Sequence, residues 1–248
     1  MTAYAEFAPG EGLASRLACV WTSEAGASAL VKRVVPDGCI DLIWTSTTGS
    51  VQVAGPDTQA VIAPIAAAQR FVAVRFRPGA AADVLGVPAH VLRDLRVPLA
   101  QLWGGEAERL ADALNDGGGV RTMEALVGER IRTAGPPQPV VGAVVARVRA
   151  GLSVRALAHD LGVSERHLRR QSLDAFGYGP KVLQRVLRFQ RAVRLAPGVA
   201  TWADLAHQTG RRPGPSGSGS ATALRPHAHR ARGRPHVRGP VDGPGLTD

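Results

Sequence analysis

Residues 16–76 alternate short apolar runs with turn-forming residues. The runs are rich in Val, Ile, Trp and Phe, and Gly, Pro, Asp and Ser separate them. Runs of this length between such residues are typical of antiparallel strands. The pattern predicts six strands, at Arg16 to Thr22, Ala29 to Val35, Cys39 to Thr45, Ser50 to Ala54, Gln59 to Pro64 and Arg70 to Phe76.

The spacing of apolar residues becomes helical after Arg77-Pro78-Gly79. It predicts helices at Ala80 to Leu85, Pro98 to Trp103, Glu106 to Leu114 and Val120 to Ile131. Residues 136–139, Pro-Pro-Gln-Pro, are predicted to form a linker because proline disfavours helix. Residues 1–135 are therefore expected to form an α+β module, for which a small antiparallel barrel or half-barrel is one arrangement.

Two further zones follow the linker. Residues 140–210 are rich in Leu, Val, Ala and Arg at helical spacing and predict an all-α domain. Residues 211–248 contain 7 Arg, 7 Gly and 6 Pro but no Ile, Phe, Trp, Tyr or Met. Such a segment cannot bury enough apolar surface to fold, so we expect a disordered basic tail. The fold class predicted for the whole chain is α+β.

Charge is distributed unevenly along the chain. Residues 1–135 carry 12 basic and 14 acidic side chains, whereas residues 136–248 carry 18 basic and 6 acidic ones. Lys and Arg gain affinity for nucleic acid by displacing counterions from phosphates. The asymmetry favours double-stranded DNA as the partner of the second half, and an acidic membrane or a merely solvated basic surface stays open as an alternative.

Several classes of protein are disfavoured by what the sequence lacks. No apolar run approaches the roughly 18 residues of a membrane span, and the first residues do not resemble a signal peptide, so we expect no membrane contact and a cytoplasmic location. Cys19 and Cys39 are too few for a four-ligand zinc site. We expect no metal, no cofactor and no catalytic residue, and we interpret Asp37 and Asp41 as turn and strand residues rather than as an acid–base pair.

Residues 153–175 have the pattern of a helix-turn-helix. Ser153 is placed to cap one helix, Gly162 permits a tight reversal, and Ser164 is placed to cap a second helix that runs to about Ala175. With Leu168 facing inward, the arginines of that second helix lie on its outer and flanking faces. The alternative interpretation is an ordinary helical hairpin with a solvated arginine face.

The segment SVRALAHDLGVSERHLRRQSLDAFGYGP, Ser153 to Pro180, resembles the first helix-turn-helix of the AraC/XylS family of bacterial transcription regulators. The segments RVVPDGCIDLIW, GPDTQA and VRFRPGAAADVLGVP are similar to the N-terminal module of one subgroup of these regulators. The resemblance implies sequence-specific DNA binding, with Arg166, Arg169 and Arg170 facing the major groove. It also implies that residues 1–135 are a sensing or dimerising part.

The helix predicted at Lys181 to Leu195 resembles the connector between the two DNA-reading halves of the family, and its cations can lie along phosphates. The candidate DNA-binding residues are Ser164, Arg166, His167, Arg169, Arg170, Lys181, Arg185 and Arg188. Trp21, Trp44 and Arg75 are candidates for the pocket of a small-molecule effector, although aromatic residues in strands usually form core. The sequence leaves the effector and a homodimer open.

Two features depart from the family. Ser172 occupies a position where the helical period requires an apolar side chain and the family usually has an aromatic one. Thr201 to Ala206 begins a second helix-turn-helix, but its recognition helix is replaced after Gly210 by RRPGPSGSGS.

Codons compatible with Arg211 to Ser216 can be read one base later as Ala-Asp-Gln-Ala-His-Leu, which resembles the second recognition helix of the family. We therefore expect that the second half is frameshifted or truncated and that DNA binding is weakened. A genuine flexible basic tail is the alternative for this segment. The alternative for the function is a ligand-binding or dimerising protein that no longer binds DNA.

Overall fold

A computed structural model describes residues 3–196 of the chain. The expectations for the second helix-turn-helix, the frameshift and the basic tail concern residues 201–248 and lie outside the described residues. The described residues up to Ala192 form one compact unit.

Within residues 3–196, eight antiparallel strands form two sheets. The strands are β1 (Ala3–Phe7), β2 (Leu17–Glu24), β3 (Leu30–Val34), β4 (Asp41–Thr45), β5 (Ser50–Ala54), β6 (Val61–Ile65), β7 (Arg70–Phe76) and β8 (Arg96–Pro98). Six of them form one sheet in the order β1-β2-β7-β4-β5-β8, and β3 pairs with β6 in a two-stranded ribbon. The strands predicted from the apolar runs are present with small shifts at their ends.

Two strands were missed by the sequence pattern, and both lie at an edge of the large sheet. β1 is mostly exposed, so it carries no clear alternation of apolar and polar residues. β8 has three residues and ends at Pro98, which lacks the N–H that an interior strand needs. Their pairing with β2 and β5 is decided by tertiary contacts.

Four helices lie between β7 and residue 135, together with a single 3-10 turn at Ala89–Leu92. They are α1 (Ala82–Leu85), α2 (Ala100–Trp103), α3 (Gly105–Asn115) and α4 (Val120–Ala134). Their apolar residues pack with Leu42, Val53 and Val74 on one face of the large sheet, and this forms the first hydrophobic core. Alternate strand residues supply that face because successive side chains point to opposite sides of a sheet.

The remaining helices form a second core. They are α5 (Pro139–Arg149), α6 (Val154–Asp160), α7 (Glu165–Phe176) and α8 (Pro180–Leu195). Leu157, Leu168 and Leu183, each 0% exposed, lie at the centre of this core. The helix α5 begins at Pro139, inside the expected linker, because proline is well tolerated at the first helical position, where its missing N–H has no intrahelical role.

An antiparallel sheet followed by a helical region confirms the predicted α+β class. Among residues 3–196, no helix is long and apolar enough to cross a bilayer.

Candidate nucleic-acid interface

The start of α6 and the start of α7 are each fixed by a serine. The hydroxyl oxygen of Ser153 accepts a hydrogen bond from the backbone N–H of Ala156 at 3.1 Å, and that of Ser164 accepts one from His167 at 3.2 Å. Both serines have extended backbone angles, as N-cap residues do. The two helices therefore begin where the sequence predicts.

The turn between α6 and α7 is closed by backbone hydrogen bonds. The N–H of Gly162 donates to the carbonyl of His159 at 3.1 Å, and that of Val163 donates to Ala158 at 3.0 Å. Gly162 has φ of 64°, which L side chains rarely adopt. The glycine allows the chain to reverse within four residues, and this places α7 against α6.

One face of α7 is buried and the opposite face is open. Leu168, Ser172 and Phe176 are 0%, 1% and 2% exposed and form the buried face. Arg166, Arg169 and Arg170 are exposed, and none of the three forms an ion pair with a carboxylate in residues 3–196. The three guanidinium groups are therefore available to a partner outside the chain.

The side chain of His167 is half-buried beside Arg170, whose Nη2 lies 3.0 Å from the His167 Nδ1 atom. Residues three positions apart in a helix are neighbours on its surface, which explains this pair. The contact holds the Arg170 guanidinium beside His167, whose backbone N–H donates to the capping hydroxyl of Ser164.

The helix α8 adds a second cationic surface. It buries Leu183, Val186 and Leu187 in the second core, whereas Lys181, Arg185 and Arg188 are exposed. Gly179 is the residue before α8, and a Cβ atom built on it would lie 3.8 Å from Cγ of Arg169. The start of α8 therefore lies next to α7, and Arg169 adjoins it.

The carboxyl end of α7 contacts the first module. The Nδ1 atom of His90 lies 3.4 Å from Oδ1 of Asp174, and Nη1 of Arg93 donates to the carbonyl oxygen of Gly177 at 3.4 Å. A Cβ atom built on Gly79 would lie 2.5 Å from Cε1 of Phe176, so the backbone at Gly79 packs directly on that ring. This end of α7 is covered, and the end that carries the arginines is not.

A second contact joins the loop before β4 to α8. The Nε2 atom of Gln190 donates to the carbonyl oxygen of Pro36 at 2.6 Å. Tyr178 is 1% exposed, and its hydroxyl oxygen lies 3.4 Å from the position of a Cβ atom built on Gly38 but has no hydrogen-bond partner within residues 3–196. Neither contact leaves a periodic signal in the amino-acid sequence, because each joins residues that are more than a hundred positions apart.

Ser172 leaves a polar atom in the second core. Its hydroxyl is buried and has no hydrogen-bond partner within the described residues. We predict that Ser172→Ala raises the free energy of unfolding by about 1 kcal/mol, since it removes an unsatisfied buried group. Urea denaturation measures the change. Ser164→Ala is the control and should lower the free energy by about 1 kcal/mol through loss of the cap. A loss of stability in Ser172→Ala would show that the hydroxyl has a partner in solution.

The three predicted effector residues do not lie on one face. Nε1 of Trp21 donates to Asp41 at 3.1 Å, and Nη2 of Arg75 donates to the same carboxylate at 2.9 Å. Trp44 belongs to the first core, on the opposite side of the sheet, and its Nε1 donates to Asn115 at 3.1 Å. The effector pocket remains a prediction, but Trp44 is separated from the other two residues.

Arg75 forms an ionic cluster with two carboxylates, since its Nε atom lies 3.6 Å from Oδ2 of Asp37 and its Nη2 atom lies 2.9 Å from Oδ2 of Asp41. Burial raises the pKa of the Cys19 thiol to about 11, although the positive charge of Arg75 acts in the opposite direction. Burial raises the pKa of the Cys39 thiol, and the negative charge of Asp37 raises it further. Burial lowers the pKa of the Lys32 ammonium group. Both thiols are therefore protonated near neutral pH, so the cluster offers no thiolate nucleophile.

Comparison with known proteins adds a match to the first module. A family model described as a domain of unknown function, DUF6597, matches residues 5–98, which extend from β1 to the end of β8. No curated protein matches the chain. Among solved structures, the crystal structure of ToxT from Vibrio cholerae O395 is 9% identical, with a TM-score of 0.34 over 85% of this chain and 88% of that chain. The family match ends before α2 and does not reach α5–α8.

Proposed function

We propose that this chain is a sequence-specific DNA-binding transcription regulator of the AraC/XylS type, with α7 as its recognition helix. The observation that carries the proposal is the orientation of α7. Its buried residues Leu168, Ser172 and Phe176 pack in the second core, while Arg166, Arg169 and Arg170 are exposed and pair with no carboxylate within residues 3–196. An exposed arginine on such a helix can donate two hydrogen bonds to the O6 and N7 atoms of a guanine in the major groove.

Phosphate contacts are assigned to residues on either side of these arginines. Ser164 and His167 lie at the first turn of α7, where backbone N–H groups favour an anion, and Lys181, Arg185 and Arg188 lie along the exposed face of α8. Contacts of this kind position a protein on the duplex, and the base contacts then select the sequence. The proposed partner is double-stranded DNA, and the proposal assigns no catalytic role to the chain.

Selection from a random duplex library tests the proposal directly. We expect the purified full-length chain to enrich one short motif that contains guanines, and to bind it more tightly than a scrambled duplex. The affinity should fall steeply with salt, since each neutralised phosphate contributes about −0.9 to the slope of log K against log of salt concentration. Enrichment of no motif by a folded chain would contradict the proposal.

The contribution of α8 is measured by the same titration. We predict that Arg185→Gln reduces the slope of the salt dependence by about 0.9 and weakens binding to motif and scrambled duplex alike. Arg33→Gln, an exposed arginine on β3, is the matched control and should change neither quantity. An unchanged slope in Arg185→Gln would show that α8 makes no phosphate contact at this position. The assignment of α7 is tested separately, by the variants of Arg166 and Arg170.

A further inference from the structure

The first residue of α7 is an acid that stands among arginines. Glu165 follows the capping residue Ser164 directly and precedes Arg166. Its side chain is exposed, and it is the acidic residue of the first turn of the helix. The first residues of a recognition helix lie where that helix meets the edges of the bases. A negative charge is therefore located at the centre of a surface that is proposed to bind a polyanion.

The carboxylate of Glu165 forms no ion pair within residues 3–196. A cation is available in the same helix, because Arg169 lies four positions later and side chains at this spacing are neighbours on a helix surface. The stem of Arg169 lies instead against the turn before α8, where its Cγ atom is 3.8 Å from a Cβ atom built on Gly179. The two charges do not pair with each other, so both are open to a partner outside the chain.

One role of this charge does not involve DNA. The N–H groups at the start of a helix carry positive potential, so an acidic side chain in the first turn stabilises the helix. Glu108 lies in the first turn of α3, is also exposed and also forms no ion pair within the described residues. The two glutamates are therefore a matched pair, in which only Glu165 adjoins the arginines that are proposed to bind bases.

The chemistry of the major groove determines which base a carboxylate can bind. An ionised carboxylate accepts hydrogen bonds and donates none. Guanine presents N7 and O6 and thymine presents O4, and these acceptors repel a carboxylate, whereas cytosine presents its N4 amino group as a donor. Adenine presents the N6 donor next to the N7 acceptor, so one carboxylate oxygen would face a lone pair. A glutamate in the major groove therefore favours cytosine.

We propose that Glu165 is a specificity-determining residue that selects a cytosine, at a position of the DNA motif next to the guanines that the arginines of α7 bind. The carboxylate accepts a hydrogen bond from the N4 amino group of that cytosine, while Arg166, the next residue in the chain, donates to a guanine. Where the cytosine is missing, the carboxylate has no donor and faces the negative charge of the duplex, so it weakens binding to other sequences. The inference rests on the proposed function, because it requires α7 to lie in the major groove.

Exchange of the carboxylate for an amide of the same shape tests this assignment. Selection from a random duplex library is carried out with the full-length wild type and with Glu165→Gln, which should fold alike because the position is exposed. We expect the wild type to enrich cytosine at one position and the variant to enrich adenine there, since a glutamine amide matches the N6 and N7 atoms of adenine. Fluorescence anisotropy with two duplexes that differ only at this base pair should show a preference of about tenfold for cytosine in the wild type, and its loss in the variant.

Glu108→Gln is the matched control, since it removes an exposed first-turn carboxylate from the first module. It should enrich the wild-type motif, with the cytosine unchanged. A motif that is identical for the wild type and Glu165→Gln would show that this carboxylate only stabilises the start of the helix, and it overturns the inference. The proposed function would then stand, because the chain still enriches a motif. Enrichment of no motif by the folded wild type overturns both.

Discussion

Simultaneous replacement of Arg166 and Arg170 by alanine is expected to weaken binding to the selected DNA motif about 100-fold. Each bidentate arginine–guanine contact contributes about 1–3 kcal/mol of discrimination, so two such contacts together contribute about 2–6 kcal/mol, and a 100-fold loss corresponds to about 2.7 kcal/mol within that range. Both side chains are exposed, so the free energy of unfolding should change by less than about 0.5 kcal/mol. Fluorescence anisotropy with the motif and with a scrambled duplex measures the loss of affinity and the loss of selectivity together.

The control for this variant has to remove the same charge elsewhere. Arg109 on α3 and Arg121 on α4 are exposed arginines of the first module, and their double replacement by alanine lowers the net charge by the same amount. We expect that control to leave the preference for the motif intact, because long-range electrostatics carry no sequence information. Equal effects of the two double variants would mean that α7 presents only a solvated basic face, and the assignment of the recognition helix would fail.

Gly79→Ala is expected to lower the free energy of unfolding by about 3 kcal/mol, the largest effect on stability that we predict. Gly79 has φ of 80°, and a Cβ atom there would lie 2.4 Å from Cγ1 of Val141 and 2.5 Å from Cε1 of Phe176. The first cost is the left-handed conformation of an L residue, about 1 kcal/mol, and the second is overpacking, about 1–3 kcal/mol. Val141 belongs to α5 and Phe176 is the last residue of α7, so the new methyl group would displace the end of α7.

Gly86→Ala separates the two costs. Gly86 has φ of 77°, close to that of Gly79, but a Cβ atom built on it would have no neighbour within 4 Å. It should therefore lose only about 1 kcal/mol. Chemical denaturation of the two variants measures the difference, and DNA affinity should fall in Gly79→Ala alone. Equal destabilisation of both variants would show that the contact between Gly79 and Phe176 is absent in solution.

The residues that build α6 and α7 were predictable because their signals are local. The hydroxyls of Ser153 and Ser164 bond to N–H groups three positions ahead, and the buried Leu168 and Phe176 follow the helical period. Such interactions join residues within about two helical turns. They can be identified in the order of the amino acids without knowledge of the fold.

Other parts of the molecule have no local signal. Arg16 was expected to begin a strand, and its guanidinium is instead 1% exposed, where it donates to the carbonyl oxygens of Ala80 and Gly135. Arginine is seldom fully buried, so its residue type argues for the surface. The segment just before α1 and the end of α4 supply the carbonyl oxygens that hold this charge inside the protein, and these segments are distant in sequence.

The amino-acid order alone therefore specified the strands with apolar runs, the main helices and the cationic face of α7. It did not specify the edge strands β1 and β8, the separation of Trp44 from Trp21, or the packing of Gly79 against Phe176. The first group depends on periodicity and capping within a few residues, which each segment carries in itself. The second depends on contacts between distant segments, and these exist only after the sheet order has brought the segments together.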